Sequence, residues 1–116
     1  MKIVVAGSRK FSSKKRIYEI INSSGFDITE VVSGGSYGVD RVGEQWAKDH
    51  NIPVKSFADQ CKEYGDIRSC ALKRNEMMAD YSDGLIAIWK NQSFGTGHMI
   101  KCMKKLDKPI FVIKVK

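Results

Sequence analysis

Apolar runs typical of buried strands alternate with segments of helical periodicity along the whole chain. The runs cover residues 2–7, 28–32, 52–57, 84–89 and 109–115. Between the first two, Ile17, Ile20 and Ile21 recur at the spacing of a helix face, and Gly25 ends that pattern. Because strands connected through helices lie parallel, the alternation predicts an α/β fold with a mainly parallel five-stranded sheet and helices on both faces.

Three further helices are predicted over about residues 39–50, 69–81 and 98–106, with loops at 58–67 and 90–97. A chain of 116 residues, 42% of them apolar, can form one compact domain but not two. We therefore expect a single domain over residues 1–116, with three layers of secondary structure.

The chain carries no membrane or export signal that we can recognise. No apolar run approaches the roughly 18 residues that a membrane helix needs, and the N-terminal "MKIVVAGSRK" turns basic after five apolar residues. The three cysteines, Cys61, Cys70 and Cys102, form no C-x-x-C pair. The sequence thus predicts a cytoplasmic protein with free thiols, no membrane partner and no metal site.

The net charge of +7 is unevenly distributed. The first 18 residues hold six basic side chains and no acidic one, and residues 101–116 hold six lysines against Asp107. Such concentrated positive charge attracts nucleic acid or a phosphorylated small molecule, although it is also compatible with ordinary solvated helix ends.

Glycine and hydroxyl side chains gather where three of the predicted strands end. The loops are "GSR" at 7–9, "SGGSYG" at 33–38 and "NQSFGTG" at 91–97. The carboxyl ends of parallel strands share one edge, and amides at the start of a following helix attract anions. We expect the three loops to form one pocket, with the amides of Gly7, Gly35 and Gly95 directed inward. Ordinary tight turns are the alternative.

These loops match neither the G-x-x-x-x-G-K-[ST] pattern nor G-x-G-x-x-G. Instead, "GSRKF" at 7–11, "VVSGGSYGVDRVGEQWA" at 31–47, "RNEMMADYSDGLIAIW" at 74–89 and "SFGTGHMI" at 93–100 resemble a known family. It is the YspA/YpsA-related branch of the SLOG superfamily, a Rossmann-like group that includes Lonely Guy enzymes and DprA. The resemblance implies a nucleotide-type ligand at the glycine-rich edge. It also makes a homodimer an expected state, since related enzymes pair beside the pocket.

The resemblance bears on catalysis as well. Lonely Guy enzymes cleave the glycosidic bond of nucleoside monophosphates with an arginine and with a glutamate that follows a Gly-Thr pair. Arg74 matches the arginine, and Gly95 and Thr96 match the pair, but Met99 occupies the glutamate position. Because methionine cannot stabilise an oxocarbenium ion, Arg74 and Asp40 are left as the candidates for a catalytic role, and enzymatic activity is an open question.

Several side chains have both a functional and a structural interpretation. Arg9 could grip a phosphate through two hydrogen bonds or be solvated. Asp40 could bind a ribose hydroxyl or complement a helix dipole. Tyr37 and Phe94 suit base stacking better than the tryptophans. The predicted ligand-binding residues are Gly7, Ser8, Arg9, Ser33, Gly34, Gly35, Gly38, Asp40, Arg74, Asn75, Ser93, Gly95 and Thr96.

Three functions follow, in order of preference. The first is a sensor or sequestering protein that binds a nucleoside phosphate or an ADP-ribose-like ligand without a further cofactor. The second is a nucleoside-monophosphate glycosidase whose catalytic carboxylate has moved. The third is a DprA-like nucleic-acid-binding module, for which the net charge is the only support, so nucleic acid is the less favoured partner.

Overall fold

A computed structural model describes residues 1–58, 67–90 and 93–115. Nine elements alternate along these residues in the predicted order. They are β1 (Lys2–Gly7), α1 (Lys14–Ser23), β2 (Glu30–Ser33), α2 (Val39–Asp49), β3 (Val54–Ser56), α3 (Ile67–Tyr81), β4 (Gly84–Lys90), α4 (Phe94–Lys105) and β5 (Ile110–Val115).

The strands form one parallel sheet in the order β3-β2-β1-β4-β5. The chain proceeds outward from β1 to β3 on one side and then returns to place β4 on the other side of β1. After β1 the chain continues toward one edge of the sheet, and after β4 it continues toward the other edge. This reversal opens a crevice beyond the carboxyl ends of these two neighbouring strands. The predicted fold class is confirmed.

Both faces of the sheet are buried, because successive side chains of a strand point to opposite sides. Ile3 and Val5 of β1 pack with α1 and α2, where Ile17 and Trp46 belong to the same cluster. On the other face, Val4 and Ala6 pack with α3 and α4 through side chains that include Met78, Met99 and Met103. Because side chains on both faces of β1 and β4 are buried, the sequences of these strands are continuous apolar runs.

One difference from the sequence-based expectations affects the site. Helix α4 begins at Phe94 instead of His98, so the segment predicted as a loop supplies the first helical turn. Of the loop predicted at 58–67, residues 59–66 lie outside the described residues.

The expectation of three free thiols was wrong. Cys70 is buried and disulfide-bonded, whereas Cys102 is a free thiol and Cys61 lies outside the described residues. A disulfide depends on distance in space, which the sequence spacing of the cysteines did not reveal.

Candidate functional site

A cavity of about 470 Å³ lies beyond the carboxyl ends of β1 and β4. Its volume is in the usual range for small-molecule sites, and its position is the crevice that the strand order creates. Side chains from the end of β1, the 33–38 loop, one face of α3 and the start of α4 surround it. The lining residues are Ala6, Gly7, Ser8, Arg9, Lys10, Ser36, Asp40, Ala71, Leu72, Arg74, Asn75, Met78, Lys90, Ser93, Phe94, Gly95, Thr96 and Met99.

Ser8 joins the two central strands at the base of the cavity. Its backbone N–H donates to the carbonyl of Ile88 over 3.1 Å, and its hydroxyl accepts from the N–H of Lys90 over 2.8 Å. The same oxygen lies 2.8 Å from the carbonyl of Lys90 and 3.2 Å from the hydroxyl of Ser93. Ser8 is 4% exposed, so its first role is to fix the geometry of the crevice.

Gly7 lets α2 approach the sheet. A Cβ at this position would lie 2.3 Å from the carbonyl oxygen of Ile88 and 2.7 Å from Cγ2 of Val39. A larger residue would therefore push the start of α2 away from the end of β1. Gly7 thus brings Asp40, in the first turn of α2, to the cavity.

The start of α4 forms a second wall. The hydroxyl of Ser93 donates to Oγ1 of Thr96 over 2.9 Å, and Trp89 donates its indole N–H to the carbonyl of Ser93. Asn75 on α3, which is 7% exposed, donates to the carbonyl of Gly95 over 3.1 Å. The N-cap residue Ser93 forms no side-chain hydrogen bond to the helix backbone, and the positive end of the helix dipole lies at this wall of the cavity.

The "SGGSYG" loop is organised around its own turn and not around the cavity. Gly35 and Gly38 have positive φ values of 73° and 79°, which side chains other than glycine adopt at a cost. The buried hydroxyl of Ser33 donates to Oε2 of Glu44 over 2.7 Å and accepts from the N–H of Gly35. The backbone of Gly38 lies against the Ser8–Arg9 segment, where a Cβ would come within 2.6 Å of both carbonyl oxygens.

The loop serves to hold a charged pair formed by Asp40 and Arg74. The N–H of Ser36 lies 3.4 Å from Oδ2 of Asp40, and Arg74 donates an Nη2–H to the hydroxyl of Ser36 over 3.4 Å. A Cβ on Gly34 would lie 3.1 Å from both Nε of Arg74 and Oδ2 of Asp40. The absence of a side chain at Gly34 therefore allows the pair to pack against the loop backbone.

Burial changes the protonation of this pair. Loss of hydration raises the pKa of Asp40 to about 7, although the N–H of Ser36, the charge of Arg74 and the N–H of Gly7 each lower it. Repulsion from Glu44 adds to the increase. Burial also lowers the pKa of Arg74, with Asp40 opposing this effect and Arg9 reinforcing it. Near neutral pH, Asp40 is therefore divided between its neutral and charged forms.

Most of the predicted ligand-binding residues line this one cavity, and four do not. Those that line it are Gly7, Ser8, Arg9, Asp40, Arg74, Asn75, Ser93, Gly95 and Thr96. Ser33, Gly34, Gly35 and Gly38 are not among the lining residues; they shape the turn that positions Ser36 and Asp40. Gly7 and Gly95 thus share the cleft, and Gly35 faces Ala58 instead.

Some lining residues were not predicted from the sequence, although helical spacing indicates them. Ala71 and Met78 lie one turn on either side of the Arg74–Asn75 pair on α3, at the spacing that places residues on one face. Lys10 and Lys90 could have been found as basic residues next to the ends of β1 and β4. Met99 lines the cavity as expected from the family resemblance, and it is 1% exposed.

The tryptophans and the two rim aromatics differ in exposure. Trp46 is 5% exposed, and its indole N–H donates to Asn22. Trp89 is half-buried. Tyr37 and Phe94 are 69% and 58% exposed, which leaves them accessible to a partner.

No cluster of three metal-ligating side chains occurs within the described residues. In the same part of the chain, no helix combines the length and apolar character that would be needed to cross a bilayer.

The fold and its cavity define a Rossmann-like α/β domain with a cavity at the topological switch point. The chain belongs to the YspA, cpYpsA-related SLOG family, whose sequence model matches residues 1–64. No curated protein matches the chain by sequence.

Two solved structures share the fold. One is DNA processing protein A (DprA) from Streptococcus pneumoniae, with a TM-score of 0.77 and 18% identity over 99% of this chain and 50% of that one. The other is DNA processing protein A from Helicobacter pylori, described for its single-stranded DNA binding mode, with a TM-score of 0.72 and 19% identity over 100% of this chain and 66% of that one. The chain thus spans about half to two thirds of these neighbours.

Proposed function

We propose that the cavity binds a nucleotide or nucleotide-derived ligand, such as a nucleoside phosphate or an ADP-ribose-like molecule, and that the protein acts as a sensor or sequestering protein. The observation that carries this proposal is the concentration of cationic and hydroxyl groups in one cavity at the switch point of the sheet. Membership of the SLOG family is consistent with it.

The charge of the cavity favours an anion. Among its described lining residues, Arg9, Lys10, Arg74 and Lys90 are basic, whereas Asp40 is the one acidic residue and is itself partly neutral near pH 7. The hydroxyls of Ser36, Ser93 and Thr96 and the first turn of α4 add hydrogen-bond donors. A phosphate satisfies such a set of donors through several oxygens at once.

The cavity also has an apolar part that suits a base. Ala6, Leu72, Met78 and Met99 line it together with the exposed ring of Phe94. A planar base can pack on such a surface while the phosphate contacts the cationic groups. This combination favours a nucleotide over a simple inorganic anion.

We expect binding without cleavage of the glycosidic bond. Cleavage requires a carboxylate that stabilises positive charge on the sugar, and Met99 occupies the position to which the family resemblance assigns it. Asp40 is the one carboxylate among the described lining residues, so it is the only candidate there for a relocated catalytic group.

Titration calorimetry with AMP, ADP-ribose, adenosine and inorganic phosphate tests the proposal. Arg9→Gln should weaken AMP binding about tenfold, since it removes one charge-assisted contact with phosphate. Arg16→Gln is the matched control, because this arginine is also exposed but lies on α1, away from the cavity. No binding of any nucleotide, or equal loss in both variants, would contradict the proposal.

Catalysis is tested separately by incubating the protein with nucleoside monophosphates and measuring free base by chromatography. We expect no release. Turnover that disappears in Asp40→Asn would instead establish the glycosidase function, with Asp40 as its catalytic carboxylate.

A second candidate function is single-stranded nucleic-acid binding. The net charge of +7 and the fold shared with two DprA proteins, one described for its single-stranded DNA binding, favour it. Affinity for an oligonucleotide should then fall steeply with salt, because many phosphate contacts release counterions. Tight, salt-sensitive oligonucleotide binding with no response to mononucleotides would favour this candidate over the first.

A further inference from the structure

Two exposed aromatic side chains belong to the edge of the same cavity. Within the described residues, the exposed large hydrophobic side chains are Met1, Tyr37, Phe94 and Leu106. Phe94 lines the cavity, and Tyr37 directly follows Ser36, which also lines it. Tyr37 is the most exposed of the four, at 69%, so packing within the domain does not account for its position.

The backbone around Tyr37 is held firmly against the cavity wall. Gly38 adopts a φ of 79° and lies so close to the Ser8–Arg9 segment that a Cβ would come within 2.6 Å of both carbonyl oxygens. Ser36 is tied on the other side by the guanidinium of Arg74. Tyr37 is therefore presented from a fixed turn at the mouth of the cavity.

The guanidinium of Arg41 lies over the ring of Tyr37. Arg41 lies in the first turns of α2 with its guanidinium carbon 4.8 Å from the centroid of the Tyr37 ring, a cation–π distance. Arg41 is also exposed. An aromatic ring beside a guanidinium is a combination that stacks nucleobases and attracts the phosphates that follow them.

We propose that Tyr37 and Arg41 form a second stacking subsite outside the cavity, so that the preferred ligand carries two nucleosides joined through phosphate. This inference rests on the proposed function, in which the cavity holds the first nucleotide. The second base stacks on Tyr37, and the linking phosphate lies near Arg9, which lines the cavity and whose backbone contacts Gly38. Two kinds of ligand carry two bases joined through phosphate: a free dinucleotide with a pyrophosphate bridge, and the end of a nucleic-acid strand.

Titration calorimetry with three ligands tests the subsite: dAMP, the 5′-phosphorylated deoxyadenylate dinucleotide, and NAD⁺. The parent protein should bind at least one of the two-base ligands about tenfold more tightly than dAMP, in line with the gain from stacking one base. Tyr37→Ala should abolish this gain and leave the affinity for dAMP unchanged, whereas Tyr37→Phe should retain it. Leu106→Ala removes another exposed apolar side chain and should change neither affinity.

The three ligands distinguish a free dinucleotide from the end of a nucleic-acid strand. A gain for NAD⁺ alone identifies a free dinucleotide, and a gain for the deoxydinucleotide alone identifies a strand end. Equal affinity of the parent for dAMP and both two-base ligands would overturn the subsite while leaving the proposed function intact. Equal loss of all affinities in Tyr37→Ala would also overturn it. Absence of binding by all three ligands would overturn the subsite, and the separate titrations with AMP and ADP-ribose would decide the proposed function.

Discussion

The 33–38 loop and the 93–97 segment both combine glycines with hydroxyl side chains, yet they border the cavity in different ways. In the first, Gly35 and Gly38 adopt positive φ, and Gly34 lies against the side chains of Arg74 and Asp40. The residues that reach the cavity are Ser36 and, just beyond the loop, Asp40. In the second, a Cβ on Gly95 would meet nothing within 4 Å, and the N-cap residue Ser93 forms no side-chain capping hydrogen bond.

The difference teaches that similar composition can serve two purposes at one site. The first segment uses glycine to build a turn that holds the buried carboxyl group of Asp40 beside the half-buried Arg74. The second leaves its glycine open toward the cavity, where a ligand can approach the helix start. Glycine content alone therefore does not identify which backbone contacts a ligand.

The largest expected effect of a single substitution is on the turn. Gly38→Ala should lower the free energy of unfolding by about 3 kcal/mol, because alanine is strained at this φ and its Cβ would collide with two carbonyl oxygens. Gly95→Ala is the control and should change stability by less than about 1 kcal/mol. Urea denaturation of both variants measures the contrast. Equal destabilisation would remove the distinction between the two segments.

The buried carboxyl group of Asp40 should make the free energy of unfolding depend on pH. Because the pKa of Asp40 rises from 3.8 to about 7 on folding, the folded state holds a proton between these values that the unfolded state has lost. The free energy of unfolding should thus decrease as pH rises from 4 to 7, by up to about 1.4 kcal/mol per pH unit from this group, and then level off.

Asp40→Asn should remove this contribution, whereas Asp80→Asn, at an exposed position on α3, should retain it. Urea denaturation from pH 4 to pH 8 gives the comparison. A parent protein and an Asp40→Asn variant with parallel pH profiles would show that the carboxyl group titrates normally. Such a result would mean that Asp40 is fully ionised beside Arg74 near neutral pH, and the 33–38 loop would then not hold the partly neutral carboxyl group described above.

The smallest effect is expected at the start of α4. Thr96→Val should cost about 1 kcal/mol, since it leaves the hydroxyl of Ser93 without its acceptor in a mostly buried position. Thr29→Val is the matched control, because that hydroxyl is exposed and water can replace its partners; we expect a change below about 0.5 kcal/mol. If the two substitutions cost the same, the hydroxyl pair does not stabilise the helix start.

The site could be predicted in part because strand order and loop position follow from general rules. The alternation of strands and helices determined that the loops after β1 and β4 would meet, and Ser8, Arg9 and Thr96 were identified on that basis. The start of α4 was placed four residues too late, because "SFGTG" has the composition of a loop. Contacts with Trp89 and Asn75 stabilise this glycine-containing turn as helix.

The sequence by itself determined the parallel sheet, its two covered faces and the edge at which a ligand site would lie, since these depend on hydrophobic periodicity and chain connectivity. Only the tertiary structure decided which loop residues face the cavity. It directed Ser33 to Glu44 and Gly35 to Ala58, and it brought the buried Asp40 beside the half-buried Arg74, 34 positions away in the sequence. The physical reason is that side-chain direction and desolvation arise from packing between elements distant in sequence, which local patterns do not encode.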